Sequence, residues 1–128
     1  MLVTMLVAAV VALRPPVIHE TFTPLPCPAH PQSTIAMEGC EEQAILRDDR
    51  KIDAEAAAIF RLLRPAARPA FVRGEHAWLD YRNDSCVAAS STYAGGTAQP
   101  LEYASCIVAA DAEHLKDLTA LRRSLVTP

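Results

Sequence analysis

The chain has 128 residues, which suits one domain, and its net charge of −3 with a pI near 5.7 gives no excess of basic residues. A nucleic-acid partner requires a basic face, so this balance disfavours DNA or RNA binding. Hydrophobic residues make up 51% of the chain but aromatic residues only 5%, and the many alanines favour closely packed helices.

Residues 1–14 have the features of a signal peptide. The apolar run from Leu2 to Leu13 is shorter than the ~20 residues that a membrane span requires. No basic residue precedes the run, so the true start of the chain can lie further upstream, and residues 10–12 offer small side chains for cleavage. The alternative is a buried first strand or helix of the domain. We expect an exported protein, secreted or periplasmic in the cell envelope, without a stable membrane span.

Residues 15–32 contain six prolines and little periodicity, which predicts an extended arm ahead of a helical domain at residues 33–128. Cys27 raises the alternative of lipid attachment. Pro24 and Pro26 stand where a lipidation signal has leucine and a small residue, so the surrounding sequence disfavours this alternative.

The four cysteines, Cys27, Cys40, Cys86 and Cys106, indicate two disulfides in a short exported chain. A zinc site is disfavoured because no two cysteines are two to four residues apart. Four cysteines allow three pairings, and loop-closure entropy does not distinguish them. We favour 27–40 and 86–106, because the first pair flanks the end of the arm and the second flanks a Ser/Gly-rich turn.

Three helices are predicted, giving an all-α, antiparallel up-down-up array with the arm at its N-terminus. The first spans residues 34–63, with Ser33 or Thr34 as its cap, and the second spans residues 69–89. The third begins near Pro100, a favourable first-turn residue. Their apolar stripes are, in order, Ile45, Asp49, Ile52, Ala56, Ile59 and Leu63; Phe71, Glu75, Trp78, Leu79, Arg82 and Cys86; and Ala104, Val108, Asp111, Leu115, Leu118, Arg122 and Leu125.

Two charged residues, Glu75 and Arg82, interrupt the stripe of the second helix. They either pair with each other or meet partners from other helices. Trp78 is expected to anchor the core, and Tyr81 and Arg82 are expected to be structural. Arg82 would lie over an aromatic ring or donate to carbonyl groups of the Gly95–Gly96 loop.

Enzyme motifs are absent from the sequence, so we predict no catalytic residues, no metal site and no cofactor. Solvated positions are expected for the four histidines, His19 and His30 in the arm and His76 and His114 on helices. The acidic pairs at 41–42 and 48–49 are typical of a solvated helix face.

The segment from Trp78 to Cys86, with its Trp-Leu-x-Tyr-Arg-Asn-x-x-Cys pattern, resembles the Trp-aliphatic-x-aromatic-Arg-Asp-x-x-Cys signature of the LprI-like family. The Gly95-Gly96-Thr97 turn is similar to a Gly-Gly-Ser in that family, and Cys40 and the 49–53 segment are similar to an upstream motif. This resemblance spans about residues 27 to 120. Where the family has glutamine, threonine and arginine, this chain has Glu75, Asp111 and His114, which could form a repacked polar cluster.

The family consists of small exported helical bacterial domains named for a lysozyme inhibitor. The resemblance therefore implies binding to lysozyme or another muramidase, and the alternative is a cell-envelope binding or assembly module without inhibitory activity. We place the candidate partner-binding surface at the loop between the second and third helices. It comprises Tyr93, Gly95 and Gly96, with the nearby acidic residues Asp84 and Glu102.

Overall fold

A computed structural model describes residues 11–127, so the first ten residues of the signal-like segment lie outside the described chain. Three long helices account for most of the described residues, and no strand occurs among them: α1 (Thr34–Leu62), α2 (Arg68–Ser90) and α3 (Ala98–Val126). Short 3-10 helices, Pro65–Ala67 and Ser91–Tyr93, precede and follow α2. The all-α prediction with two disulfides is confirmed.

Local chemistry accounts for where the helices begin and end. Ser33 is the N-cap of α1, and its hydroxyl accepts a hydrogen bond from the Ala36 amide at 3.1 Å. The first helix ends ahead of Pro65, which the following 3-10 helix accommodates in its first turn. Pro69 lies in the first turn of α2, where its missing N–H has no helical partner to lose.

The core is divided into two apolar clusters. One groups Ile45 of α1 with Cys86, Ala104 and Ile107, and the other groups Ile52 and Ile59 of α1 with Leu118 of α3. The early part of α1 therefore packs against the early part of α3, and the late part against the late part, so the two helices run in the same direction where they are in contact. Leu125, which we had placed on the stripe of the third helix, is 37% exposed because the last turn of α3 extends beyond this packing.

The residues of the arm that precede α1 lie along α1 in the opposite direction. The Ile18 amide donates to Asp53 at 2.9 Å, the Gln43 side chain donates to the Leu25 carbonyl at 3.1 Å, and Cys27 is joined to Cys40. These contacts cover a face of α1 that would otherwise be open.

Disulfides join Cys27 to Cys40 and Cys86 to Cys106, the pairs that their positions favoured, and no free cysteine occurs in the described chain. Closing chain segments of 13 and 20 residues contributes about 3 kcal/mol each to the free energy of unfolding. The first bridge also uses the Cys27 thiol that lipid attachment would need.

Candidate functional site

A buried charge cluster holds the arm and all three helices together around Arg82. Its guanidinium, in a residue only 1% exposed, donates to Asp49 of α1 at 3.1 Å and to Asp111 of α3 at 3.0 Å. It also donates to Glu20 of the arm at 2.6 Å and to its neighbour Asn83 at 3.0 Å. The expectation that Arg82 lies over an aromatic ring is met by Trp78, 5.6 Å away, but Arg82 donates to carboxylates and not to the glycine loop.

Burial keeps one carboxyl group of this cluster neutral. Loss of solvation, together with the nearby charges and hydrogen bonds of Glu20 and Asp111, raises the pKa of Asp49 to about 9. Burial raises the pKa of Asp111 as well, so the two neighbouring aspartates both favour the neutral form. The Oδ2 atoms of both aspartates are buried and have no hydrogen-bond partner in the described chain. The interpretation of residues 48–49 as a solvated pair is therefore wrong for Asp49.

A second polar group lies beside the first. The Trp78 and His114 rings are stacked, with centroids 3.6 Å apart and planes 8° from parallel, and His114 Nε2 lies 2.8 Å from Glu75 Oε2. His114 is only 9% exposed, so the prediction that it is a surface histidine is wrong. Glu75 and Arg82 thus meet partners from other helices, and do not pair with each other. The contact of α2 with α3 explains this, because it brings together polar residues that are 39 positions apart in sequence.

Trp78→Ala is expected to lower the free energy of unfolding by about 3 kcal/mol, because it removes the ring that fills the space between His114 and the Ile52–Leu118 cluster. Urea denaturation measures this loss. Tyr81→Ala is the matched control, since Tyr81 is 70% exposed and the change is expected to cost less than about 0.5 kcal/mol. Equal losses in the two variants would contradict a core role for Trp78.

Tyr81, which we predicted to be structural, is 70% exposed. Tyr81 is adjacent to Arg82 in the sequence, and successive helical residues are rotated by about 100° about the axis, so its ring lies on the solvent side of α2.

The loop between α2 and α3 is exposed but ordered by its own hydrogen bonds. The Gly96 amide donates to the Tyr93 carbonyl at 3.2 Å, and the Gln99 amide donates to the Gly96 carbonyl at 3.3 Å. Gly95 adopts a φ of +84°, a conformation that side chains disfavour, and the Tyr93 side chain is 46% exposed. The loop thus presents one large amphipathic side chain on a defined backbone.

Asp84 and Glu102, the acidic residues we placed near the loop, are both exposed. Asp84 lies in the last two turns of α2 and Glu102 near the start of α3, so they flank the segment that carries Tyr93. Neither carboxylate forms an ion pair with another residue of the described chain.

A groove of about 370 Å³ opens at the same end of the helices, between the arm and the ends of α1, α2 and α3. Its apolar and aromatic lining includes Phe22, Ile45, Val87, Pro100 and Tyr103. Ser90 and Gln99, which bound the α2–α3 loop, also line the groove.

Two carboxylates, Glu38 and Glu42, lie on the α1 side of this groove. Glu42 is only 8% exposed, and its Oε1 has no hydrogen-bond partner in the described chain. Burial and the adjacent Glu38 raise the pKa of Glu42. The interpretation of residues 41–42 as a solvated pair is wrong for Glu42, because the arm covers this part of α1. The only sequence signal for this was the proline content that predicted the arm.

Among residues 11–127, no group of three or more histidine, cysteine, aspartate or glutamate side chains is arranged to hold a metal ion. No helix in that range is long and apolar enough to cross a membrane.

Comparison with protein families identifies a match over residues 27–118 to the family described as lysozyme inhibitor LprI. The chain belongs to the LprI family. No curated protein and no solved structure matches the chain significantly. The LprI match begins at Cys27 and contains both disulfides, the α2–α3 loop and three of the residues around Arg82, whereas Glu20 of the arm lies ahead of it.

The LprI family name describes an inhibitor, and a protein partner is therefore the class of ligand that membership suggests. Membership and the two disulfides together suggest a protein located outside the cytoplasm.

Proposed function

We propose that this protein is exported to the cell envelope or beyond, where it binds and inhibits lysozyme or a related cell-wall hydrolase without catalysing a reaction itself. The observation that carries the proposal is the LprI family match, which covers residues 27–118 and so includes both disulfides and every candidate contact residue.

The α2–α3 loop is the proposed contact surface. The Cys86–Cys106 bridge ties together the two helices that hold it, and the internal hydrogen bonds fix its backbone. A loop that is ordered before binding loses less conformational entropy when the complex forms. Tyr93 is the large amphipathic side chain in it, the residue type that commonly anchors an interface.

Charge supports the same partner. Many lysozymes are basic and have two carboxylates in a cleft, and a chain of net charge −3 is attracted to such a surface. Asp84 and Glu102, exposed beside the loop, would supply this attraction locally. The association rate is then expected to fall as salt is added.

Tyr93→Ala is expected to weaken inhibition of lysozyme about 30-fold, the effect of removing an interface anchor worth about 2 kcal/mol. The measurement is lysozyme activity against inhibitor concentration, after circular dichroism has shown that each variant is folded. Tyr81→Ala is the matched control, because it removes an exposed tyrosine outside the loop.

Two results would count against this proposal. Full inhibition by Tyr93→Ala would remove the loop from the mechanism. No inhibition by the wild-type protein across several lysozyme classes would remove the inhibitor function and leave an envelope-binding role.

A further inference from the structure

The groove between the arm and the helix ends combines two chemical features that one type of ligand would satisfy. Its apolar lining would accommodate a hydrocarbon chain, and the rings of Phe22 and Tyr103 are of a kind that attracts a cation. Glu38 and Glu42 supply negative charge on the α1 side. The volume of about 370 Å³ lies within the range of ligand pockets.

Glu42 lacks a cationic partner in the described chain, and although the Leu25 backbone acts to lower its pKa, burial and Glu38 raise it overall. No Lys, Arg or His side chain in the described chain forms an ion pair with Glu42 or with Glu38. The α1 dipole does not replace such a partner, because Glu42 lies more than a turn beyond the N-terminus of the helix, where the effect has faded. A buried acid beside a second acid is stabilised in its ionised form by an incoming cation.

We infer that this groove receives a lysine or arginine side chain of the bound hydrolase, with the aliphatic stem against Phe22, Val87 and Tyr103 and the cationic head at Glu42. The inference rests on the proposed function and adds a second contact to it, since Ser90 and Gln99 place the groove next to the α2–α3 loop. A partner lying on Tyr93 could therefore extend one basic side chain into the groove.

The first test uses a small probe and the whole chain without any partner. Butylguanidinium is titrated into the isotopically labelled protein at neutral pH, and the amide resonances of groove residues such as Ser90 and Tyr103 are followed by NMR. Butylurea, which has the same shape but no charge, is the comparison ligand. Saturable shifts are expected with butylguanidinium, and binding of butylurea is expected to be about ten-fold weaker.

Variants at the acidic side of the groove locate the effect. Glu42→Gln keeps the shape of the side chain, removes its charge, and is expected to weaken both butylguanidinium binding and lysozyme inhibition about ten-fold. Glu38→Gln is expected to weaken both activities in the same direction but by less. It is the substitute test variant if Glu42→Gln does not fold. Glu41→Gln removes the same charge from α1 outside the groove lining and is the matched control.

The outcomes separate this inference from the proposed function. Equal binding of the charged and neutral probes, or full inhibition by both folded variants, overturns the inference while inhibition by the wild type still stands. Butylguanidinium binding that depends on Glu42, without any inhibition by the wild type, overturns the inhibitor function and the bound-hydrolase assignment, and leaves the groove as a site for alkyl cations.

Discussion

Arg82→Met is expected to lower the free energy of unfolding by about 3–5 kcal/mol, because it leaves buried carboxylates without their counterion. Among the described residues, Arg82 is the one cation paired with Glu20, Asp49 and Asp111, and each of its terminal nitrogens donates to at least one of these acids. Methionine fills much of the same space but supplies neither charge nor donors. Urea denaturation at neutral pH measures the loss.

Lys116→Met provides the comparison for Arg82→Met. It removes the same charge from a side chain that is 72% exposed and pairs with the equally exposed Glu113, so no measurable change in the free energy of unfolding is expected. A loss below about 1 kcal/mol for Arg82→Met would show that water or rearranged side chains solvate the acids, and would contradict the buried cluster.

Lowering the pH should reduce the loss caused by Arg82→Met. Protonation neutralises the acids around position 82, and neutral carboxyl groups cost less to bury than ions without a partner. A loss that grew towards acidic pH would contradict this account.

The helices were predictable from the sequence because each carries its own periodic signal. Ile45, Ile52 and Ile59 recur at intervals of seven and are all buried in α1. The first corner is also readable in the sequence, since Pro65 and Pro69 disfavour a helix interior, and the observed helix ends differ from those predicted by at most two residues.

The polar contacts were less predictable because periodicity shows which face of a helix is buried but not what it meets. Arg82 was expected on the inner face, yet its partner Glu20 is 62 positions away in an arm without periodicity. His114 and Glu42 were assigned to the surface for the same reason, since their burial depends on α2 and on the arm respectively.

Gly39 shows how closely the arm approaches α1. A Cβ atom at this position would lie 2.9 Å from the Leu25 carbonyl oxygen and closer still to that of Pro26. Only glycine leaves room for the arm here. The close contact also explains how Glu42, one turn further along α1, becomes covered.

Asp49→Asn is expected to remove most of the pH dependence of stability that the charge cluster produces. Asp49 Oδ1 accepts from Arg82, and the protonated carboxyl group also carries one O–H donor. Asparagine reproduces both roles, with its carbonyl oxygen as the acceptor and its amide as the donor. The variant is therefore expected to be about as stable as the wild type in mild acid and more stable in mild alkali.

The direction follows from the protons that each state binds. The pKa of Asp49 is about 9 in the folded protein, against about 3.9 for an unfolded aspartate, so the folded state holds the extra proton between these values. The contribution of this proton to the free energy of unfolding is complete below about pH 3.9, the pKa of the unfolded aspartate. It is lost as the pH rises towards 9, by up to about 1.4 kcal/mol per pH unit. Burial raises the pKa of Asp111 as well, which adds a contribution of the same sign.

Urea denaturation across this pH range compares the slopes of wild type and Asp49→Asn. Asp48→Asn is the matched control, because Asp48 is the neighbouring acid and pairs with the exposed Lys51 outside the cluster. Its slope is expected to equal that of the wild type. A wild-type stability that increased steadily from mild acid to mild alkali, or an Asp49→Asn slope as steep as that of the wild type, would mean that Asp49 is ionised in the folded protein. The raised pKa of Asp49, and the proton that it retains in the folded state, would then be wrong.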